Sequence, residues 1–460
     1  MKSTRQIWTP LFSTQLLGVL NDHILKNSII FIGIFWLAPE QKSAVISVAS
    51  AFLVLPFVLL SPAAGKWAQE QSKRKIFVLA KLLEIPIMAI AAVGFLMQNI
   101  YIVMGALLLM GAQSAMNSPS KFGLIRDVGG VKGLSFGVGT MEMLSFIGVL
   151  VGQLIAGYIS DLETNSEAIA SGILMVLAVA GWLASKTIKV EEQEPSKVDD
   201  SVNFVVFLYR SFKWAKGLPG LNYTVFGLAC FWLAAALIQM NVLVHAPETY
   251  NLSNTQTAII MSLIAVGIGF GCWVAGMLAK DRVEVGMAPL GGLGLSICMT
   301  IFALFEMGLT AFIVILSIAA FFSGFFKVPL GAWIQERVEG RKLGNILAYT
   351  NMITFLFILI SAGIFAACMK FGNTYTVFAV IAIVGWIMTF VTAFKVPAML
   401  VRFIADSLAK IYFRYEVEGK ENIPKRSGAL LVANHISLMD FLMIVATIPR
   451  QVRFVVAKDV

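Results

Sequence analysis

Six ionisable side chains stand where an apolar run makes a charge costly or where spacing allows proton chemistry: Asp22, Lys26, Glu142 and Lys327 in the first group, His435 and Asp440 in the second. A charge inside a membrane helix costs roughly 2.5–3.5 kcal/mol on insertion scales, so each of the first four needs a partner, water or a polar cargo. Asp22 and Lys26 are four residues apart and share a helix face. They can neutralise each other, or they can turn that face, with Asn21, toward a central cavity and a polar headgroup. Glu142 has no cation near it in sequence, which points to a cavity or proton-handling role, the alternative being an interhelical hydrogen bond. Lys327, between the aromatic run FFSGFF and Val-Pro, is placed to hold a phosphate or carboxylate, or else snorkels to the membrane surface. Gln113, Asn117, Gln239, Asn241, Asn345 and Asn351 are expected as interhelical hydrogen-bond partners, with Gln113, Asn117 and Asn351 also candidates to touch the cargo. Lys81 and Glu84 are expected to pair locally, and His245, beside Pro247, to face the interface.

The elements that position these residues follow from composition. Hydrophobic residues make up 58% of the 460, charged residues only 13%, and mean hydropathy is +0.83, well outside the range of a soluble chain. Apolar runs able to cross about 30 Å of hydrocarbon as helices recur at 10–37, 43–65, 76–97, 100–119, 134–160, 168–186, 221–245, 255–279, 286–306, 310–333, 343–369 and 373–394. Taking the N-terminus as cytoplasmic, twenty Lys and Arg fall on its side, Lys121 among them, against Lys42 and Lys370 on the other. That asymmetry predicts an even number of helices with both ends in the cytoplasm, and it accounts for the net charge of +9 without nucleic acid. The first run is too long, and too polar at its centre, for a cleaved signal peptide. Cys230, Cys272, Cys298 and Cys368 lie in apolar runs with neither disulfide nor metal-ligand spacing, and no cofactor is expected.

A charged stretch and an amphipathic segment at 187–220 divide six predicted helices (1–186) from six (221–395). The halves echo each other. Pro119 pairs with Pro329, Arg126 falls beside Glu336 and Arg337, Gly133 pairs with Gly344, and Glu142 falls near Asn351. After the second and eighth helices, GKWAQEQSKRK and GMLAKDRVEVG form a second echo. This resembles the Gly-x-x-x-Asp-Arg-x-Gly-Arg-Arg loop pattern of the major facilitator superfamily, with Gln69 where the pattern has Asp. The resemblance covers about residues 1–395 and implies an all-α membrane protein, a twelve-helix bundle of six plus six, whose halves rock about a central site. Stretches containing Gly137, Gly139, Gly148 and Gly152 are expected to permit close helix contact and sliding.

Residues 396–460 differ in character. Arg402, Asp406, Lys410 and Arg414 recur every four residues among apolar positions, as in a helix lying on a bilayer surface or in an ordinary soluble amphipathic helix. An apolar stretch, Ala429 to Ala433, is expected as a strand delivering Asn434-His435 and then Asp440. This His-x4-Asp, preceded by Glu421-Asn422-Ile423-Pro424, resembles the first motif of glycerolipid acyltransferases. The resemblance implies that His435 takes the proton from a glycerol hydroxyl attacking an acyl thioester, with Asp440 orienting the imidazole. The other reading is a helix-capping Asp beside a surface His. The later blocks of that family are absent up to Val460, so the segment is expected to be the front of a truncated α/β domain and not itself a competent enzyme.

Gln113-Ser114-Ala115, Pro119-Ser120-Lys121-Phe122-Gly123 and Asn21-Asp22…Lys26 also resemble the bacterial lysophospholipid transporter family, with Asn117-Ser118 in place of Phe-Gly. This resemblance implies a carrier in the bacterial inner membrane that moves lysophospholipids from the outer to the inner leaflet for reacylation. Its implied partners are the lysophospholipid, membrane lipids, and acyl carrier protein or acyl-CoA for a full-length protein. Two other functions remain open on sequence: an acyltransferase whose helices are only a platform, and a proton-coupled drug or solute antiporter.

Overall fold

The computed structural model describes residues 4–37, 39–162, 164–192, 194, 202–279, 282–412, 418–419, 422–423, 428–434, 438–448 and 452–454. Its elements are α1 (Thr4–Phe31), α2 (Pro39–Glu70), α3 (Lys73–Leu96), α4 (Ile100–Gly129), α5 (Leu134–Ser160) and α6 (Ser166–Lys186), then α7 (Phe204–Lys216). There follow α8 (Leu221–Tyr250), α9 (Asn254–Ala279), α10 (Met287–Leu304), α11 (Leu309–Arg337), α12 (Lys342–Phe371) and α13 (Thr374–Lys395), with α14 (Pro397–Tyr412) and α15 (Leu438–Thr447) in the tail. Among the described residues, ten helices, α3–α6 and α8–α13, are long and apolar enough to cross a membrane. α1, polar at its middle, and α2 pack into the same bundle. Helices suit a lipid-exposed chain, because each satisfies its own backbone groups.

Punctuation residues set several ends. Asn99 accepts from the backbone N–H of Tyr101 and Ile102 to start α4, and Asn373 forms a capping box with Thr376 to start α13. The prolines expected near the ends of the fourth and tenth helices do not end them. Pro119 and Pro329 lie inside α4 and α11, which continue to Gly129 and Arg337. Lys121 is therefore a helix residue and not the loop charge that its place after Pro119 implied.

Glycines set how closely the helices approach. A Cβ on Gly139 of α5 would sit 2.5 Å from the Cys272 carbonyl oxygen of α9, and one on Gly276 of α9 would sit 2.8 Å from the Ser135 oxygen. Gly137 meets Trp8 and Ile125, Gly148 meets Val19, and Gly152 meets His23 and the Leu20 oxygen, so the small residues of α5 lie at close helix contacts. Replacing Gly139 with Val is expected to force α5 and α9 apart at an overpacking cost of about 1–3 kcal/mol. Thermal unfolding of the detergent-solubilised protein would detect this as a lowered midpoint, and an unchanged midpoint would disprove the tight contact.

The tail is joined to the second six helices by charge. Arg402 on α14 donates to both Glu284 carboxylate oxygens at 2.9 Å, Arg282 pairs with Glu284 at 2.8 Å, and Arg282 pairs with Asp406 at 3.1 Å. Val401, Ile404 and Leu408 of α14 are exposed, and Ala405 and Ala409 pack with Val445 of α15. Ala429–Ala433 is irregular, not the expected strand; it has no strand to pair with among the described residues, and a lone strand has no ladder to hold it.

Candidate functional site

The first helix supplies three polar residues that diverge. Asn21 is buried and its Nδ2 donates to Glu84 Oε1 of α3 at 2.6 Å. Lys81, one helical turn before Glu84, donates to the other carboxylate oxygen at 2.6 Å, which is the local pair expected from their spacing. This pair fills the space above Gly18, where an added Cβ would collide with Lys81 Nζ. Asp22 points instead toward α4, with Ser114 Oγ 3.3 Å from its Oδ2. Lys26 is half-buried and takes part in no ion pair among the described residues, so the Asp22–Lys26 pairing allowed by sequence does not form. The reason is rotational: the Asp22 carboxylate is taken up by the α4 face, where Ser114 meets it.

α4 presents a polar stripe. Ser114, Asn117 and Lys121 recur at three- and four-residue spacing, the repeat of one helix face. Gln113 donates to the Ala80 carbonyl oxygen at 2.8 Å, fixing α4 against α3, and its Oε1 lies 3.2 Å from Ser114 Oγ. The buried Oδ1 atoms of Asn117 and Asn21 have no hydrogen-bond partner among the described residues. Buried acceptors of this kind are uncommon in native folds and mark places where water or a ligand completes the shell. Lys121 makes no ion pair among the described residues, yet its charge acts on Asp22, Glu84 and Glu142. It is the site residue that the sequence reading passed over. The signal was present in its four-residue spacing from Asn117.

Glu142 does have a cation, supplied by the other half. Lys327 Nζ of α11 donates to Glu142 Oε2 of α5 at 2.5 Å, and the lysine side chain is only 6% exposed. The ammonium also lies 4.2 Å from the Trp232 ring centroid, 5.5 Å from that of Phe146 and 5.7 Å from that of Phe231. Lys327 therefore does not snorkel; aromatic faces and a carboxylate hold it inside the bundle. Nearby, Asn351 of α12 donates to Ser118 Oγ of α4 at 2.7 Å, so the polar stripe of the first half also meets the second.

The remaining polar candidates are structural or outward. Asn345 accepts from Ser211 at 3.1 Å and holds α7 on α12, and Asn241 donates to the Thr374 carbonyl at 3.0 Å. Gln239 is exposed. His245 does not face the interface: it is 2% exposed, lies 2.8 Å from Thr374 Oγ1 through Nδ1, and is enclosed by Tyr250, Phe312, Tyr375 and Phe378. An imidazole there satisfies its polar edge locally while four rings cover its faces. In the tail, Asp440 lies in the first turn of α15 and His435 lies outside the described residues.

The two halves also touch along the face that carries Arg126, Arg337 and Arg341, called here the basic face. Arg126 donates to the Gln335 carbonyl at 2.7 Å and to the Val338 carbonyl, so the segments paired as repeats meet directly. A family model described as Major Facilitator Superfamily matches residues 11–362. The chain belongs to that superfamily. A second model, described as Acyltransferase, matches residues 414–460. Among curated relatives, this facilitator is 22% identical to the lysophospholipid transporter LplT of Serratia proteamaculans over 380 residues, covering 80% of the chain and 92% of the relative. It is 25% identical to LplT of Cronobacter sakazakii over 381 residues, covering 78% and 90%. Among solved structures it is similar to the human organic anion transporter MFSD10, at 13% identity and TM-score 0.69, covering 85% of the facilitator and all of that chain. It is likewise similar to FucP in the outward conformation, at 14% identity and TM-score 0.67, covering 86% and 99%. These likenesses establish the fold of a multi-pass membrane transporter, distantly related to LplT.

Proposed function

We propose that this facilitator moves lysophospholipids from the outer to the inner leaflet of a bacterial inner membrane by alternating access, delivering them for reacylation. The observation that carries the reading is the set of charges held wholly or partly out of water inside the bundle, Asp22, Lys26, Lys121 and Glu142 in the first half and Lys327 in the second. Lys26 and Lys121 lack ion pairs among the described residues, Asp22 stands beside Ser114, and Glu142 and Lys327 neutralise each other across the interface. Cations without ion pairs among the described residues suit a phosphate, and the carboxylates suit an ammonium on the same headgroup. The single acyl chain stays in apolar surroundings or in lipid. Asn21, Gln113, Asn117 and Asn351 border the site and set its shape.

The names of the LplT relatives support the cargo, and the match at 414–460 supports a consumer of that cargo on the same chain. The basic face is then cytoplasmic, with residues 1–186 and 221–395 as the moving halves, 187–220 as their linker and 396–460 as the tail. His435 and Asp440 act as base and orienting acid in a full-length protein, with acyl-CoA or acyl carrier protein as donor. Expression of residues 1–395 alone is the direct test. Spheroplasts carrying this piece are expected to take up labelled lysophosphatidylethanolamine as the whole chain does. Loss of uptake with normal membrane insertion would favour a platform for the tail, and drug efflux without lysolipid uptake would favour an antiporter.

A further inference from the structure

An amphipathic helix on a soluble protein turns its charges to water and its apolar stripe to the core. α14 does the reverse. Its charged side chains Arg402 and Asp406, 12% and 10% exposed, face the turn between α9 and α10, where they meet Arg282 and the 1% exposed Glu284 carboxylate. Phe403 is buried in the core, and a Cβ on Gly286 of the turn would collide with the Met399 carbonyl oxygen, so helix and turn are in close contact. The outer stripe is apolar: Pro397, Ala398, Val401, Ile404 and Leu408 are exposed at helical spacing. Among the described residues of α14, no polar side chain is exposed. Each Å² of such a stripe gains about 25 cal/mol when an apolar environment covers it.

The neighbouring helix identifies that environment. α13 carries an exposed apolar stripe of its own, Ile383, Ile387, Phe390, Val391 and Phe394, which in a membrane-spanning helix faces lipid. It ends at Lys395, whose ammonium lies 4.3 Å from the ring centroid of exposed Tyr223 at the start of α8. Tyrosine and lysine at the ends of spanning helices mark the level of the headgroups. α14 begins two residues later, at Pro397, so its outer stripe continues the lipid-facing surface of α13 at that level. α15 does not cover the stripe. Val445 packs on Ala405 and Ala409 and leaves Val401, Ile404 and Leu408 exposed.

We propose that α14 is an in-plane membrane helix whose apolar stripe lies among the acyl chains of the leaflet on the basic face, while Arg402 and Asp406 tie it to the second half, so that the tail moves with that half. The charges that lipid would reject are the ones the α9–α10 turn neutralises. The test uses the full chain with Cys230, Cys272, Cys298 and Cys368 replaced by Ala, in vesicles of phosphatidylethanolamine and phosphatidylglycerol. Nitroxides attached at Val401→Cys, Ile404→Cys and Leu408→Cys are expected to collide more with oxygen than with a water-soluble nickel chelate, from a depth of about 5–10 Å. Phe394→Cys supplies the lipid reference and the exposed Lys189→Cys the water reference. Nickel access like that of Lys189→Cys, shielding from both reagents as under a protein cap, or spin–spin broadening between two copies would each overturn the lipid contact. Glu284→Gln and Arg402→Gln cut the tie from either side, and each is expected to raise the mobility of the label at Leu408→Cys, so a folding defect in one leaves the other decisive. Unchanged mobility in either folded variant would overturn the tie. Neither readout uses lysolipid, so both are independent of what the protein carries.

Discussion

Asp22→Asn is expected to reduce lysophospholipid uptake in spheroplasts at least ten-fold while leaving the protein as stable as the parent or more so. The two parts of this result have different causes. Asp22 makes no ion pair among the described residues; Ser114 Oγ, at 3.3 Å, is its nearest hydrogen-bond neighbour. A charge held inside the bundle with so little compensation burdens the folded state, and an amide of the same shape relieves that burden. A charged hydrogen bond to a headgroup contributes about 1.5–3 kcal/mol, and its loss corresponds to about ten- to a hundred-fold in binding. Uptake assays with matched expression, paired with thermal unfolding in detergent, separate the two effects. Parental uptake in Asp22→Asn would remove Asp22 from the site.

The pair between Glu142 and Lys327 leads to an asymmetric expectation. Lys327→Ala leaves Glu142, whose side chain is only 12% exposed, inside the bundle without the cation that neutralises it. Breaking a buried pair from one side costs about 3–5 kcal/mol, so this variant is expected to lose both stability and uptake. Glu142→Gln leaves the ammonium its aromatic faces, above all Trp232 at 4.2 Å, and is expected to unfold nearer the parental temperature while uptake is abolished. The double variant Glu142→Gln/Lys327→Met removes both charges together. It is expected to recover the stability lost in Lys327→Ala without recovering uptake, because a buried pair contributes little net stability against neutral packing. Transport by the neutral double variant would mean the pair is only a structural tie.

Both expectations depend on placements that sequence supplied unevenly. The ten membrane helices were legible because lipid demands long apolar runs, and Leu134–Ser160 lies where hydropathy put it, although α4 continues past its expected end to Gly129. The two-fold echo was legible as well, since Pro119 with Pro329 and Arg126 with its counterparts occupy matched positions of α4 and α11 that meet at the basic face. The costly residues Asp22, Glu142 and Lys327 stood out because a charge among apolar neighbours needs no alignment to be noticed.

Partners were another matter. Local spacing favoured Asp22 with Lys26 and left Glu142 alone, whereas in the fold Asp22 turns to Ser114 of α4 and Glu142 finds Lys327, 185 residues away. Pro119 read as a helix end, so Lys121 looked like a loop charge until α4 was seen to continue to Gly129. His245 looked interfacial from its place near the end of an apolar run, and only the packing of α8 against α13 encloses it. Sequence by itself determined which residues are costly in a membrane and which segments cross it, because those are properties of one helix and its solvent. The tertiary structure decided which charge meets which, because pairing depends on how helices rotate and cross, and that is set by contacts such as Gly139 on Cys272 that join residues distant in the chain.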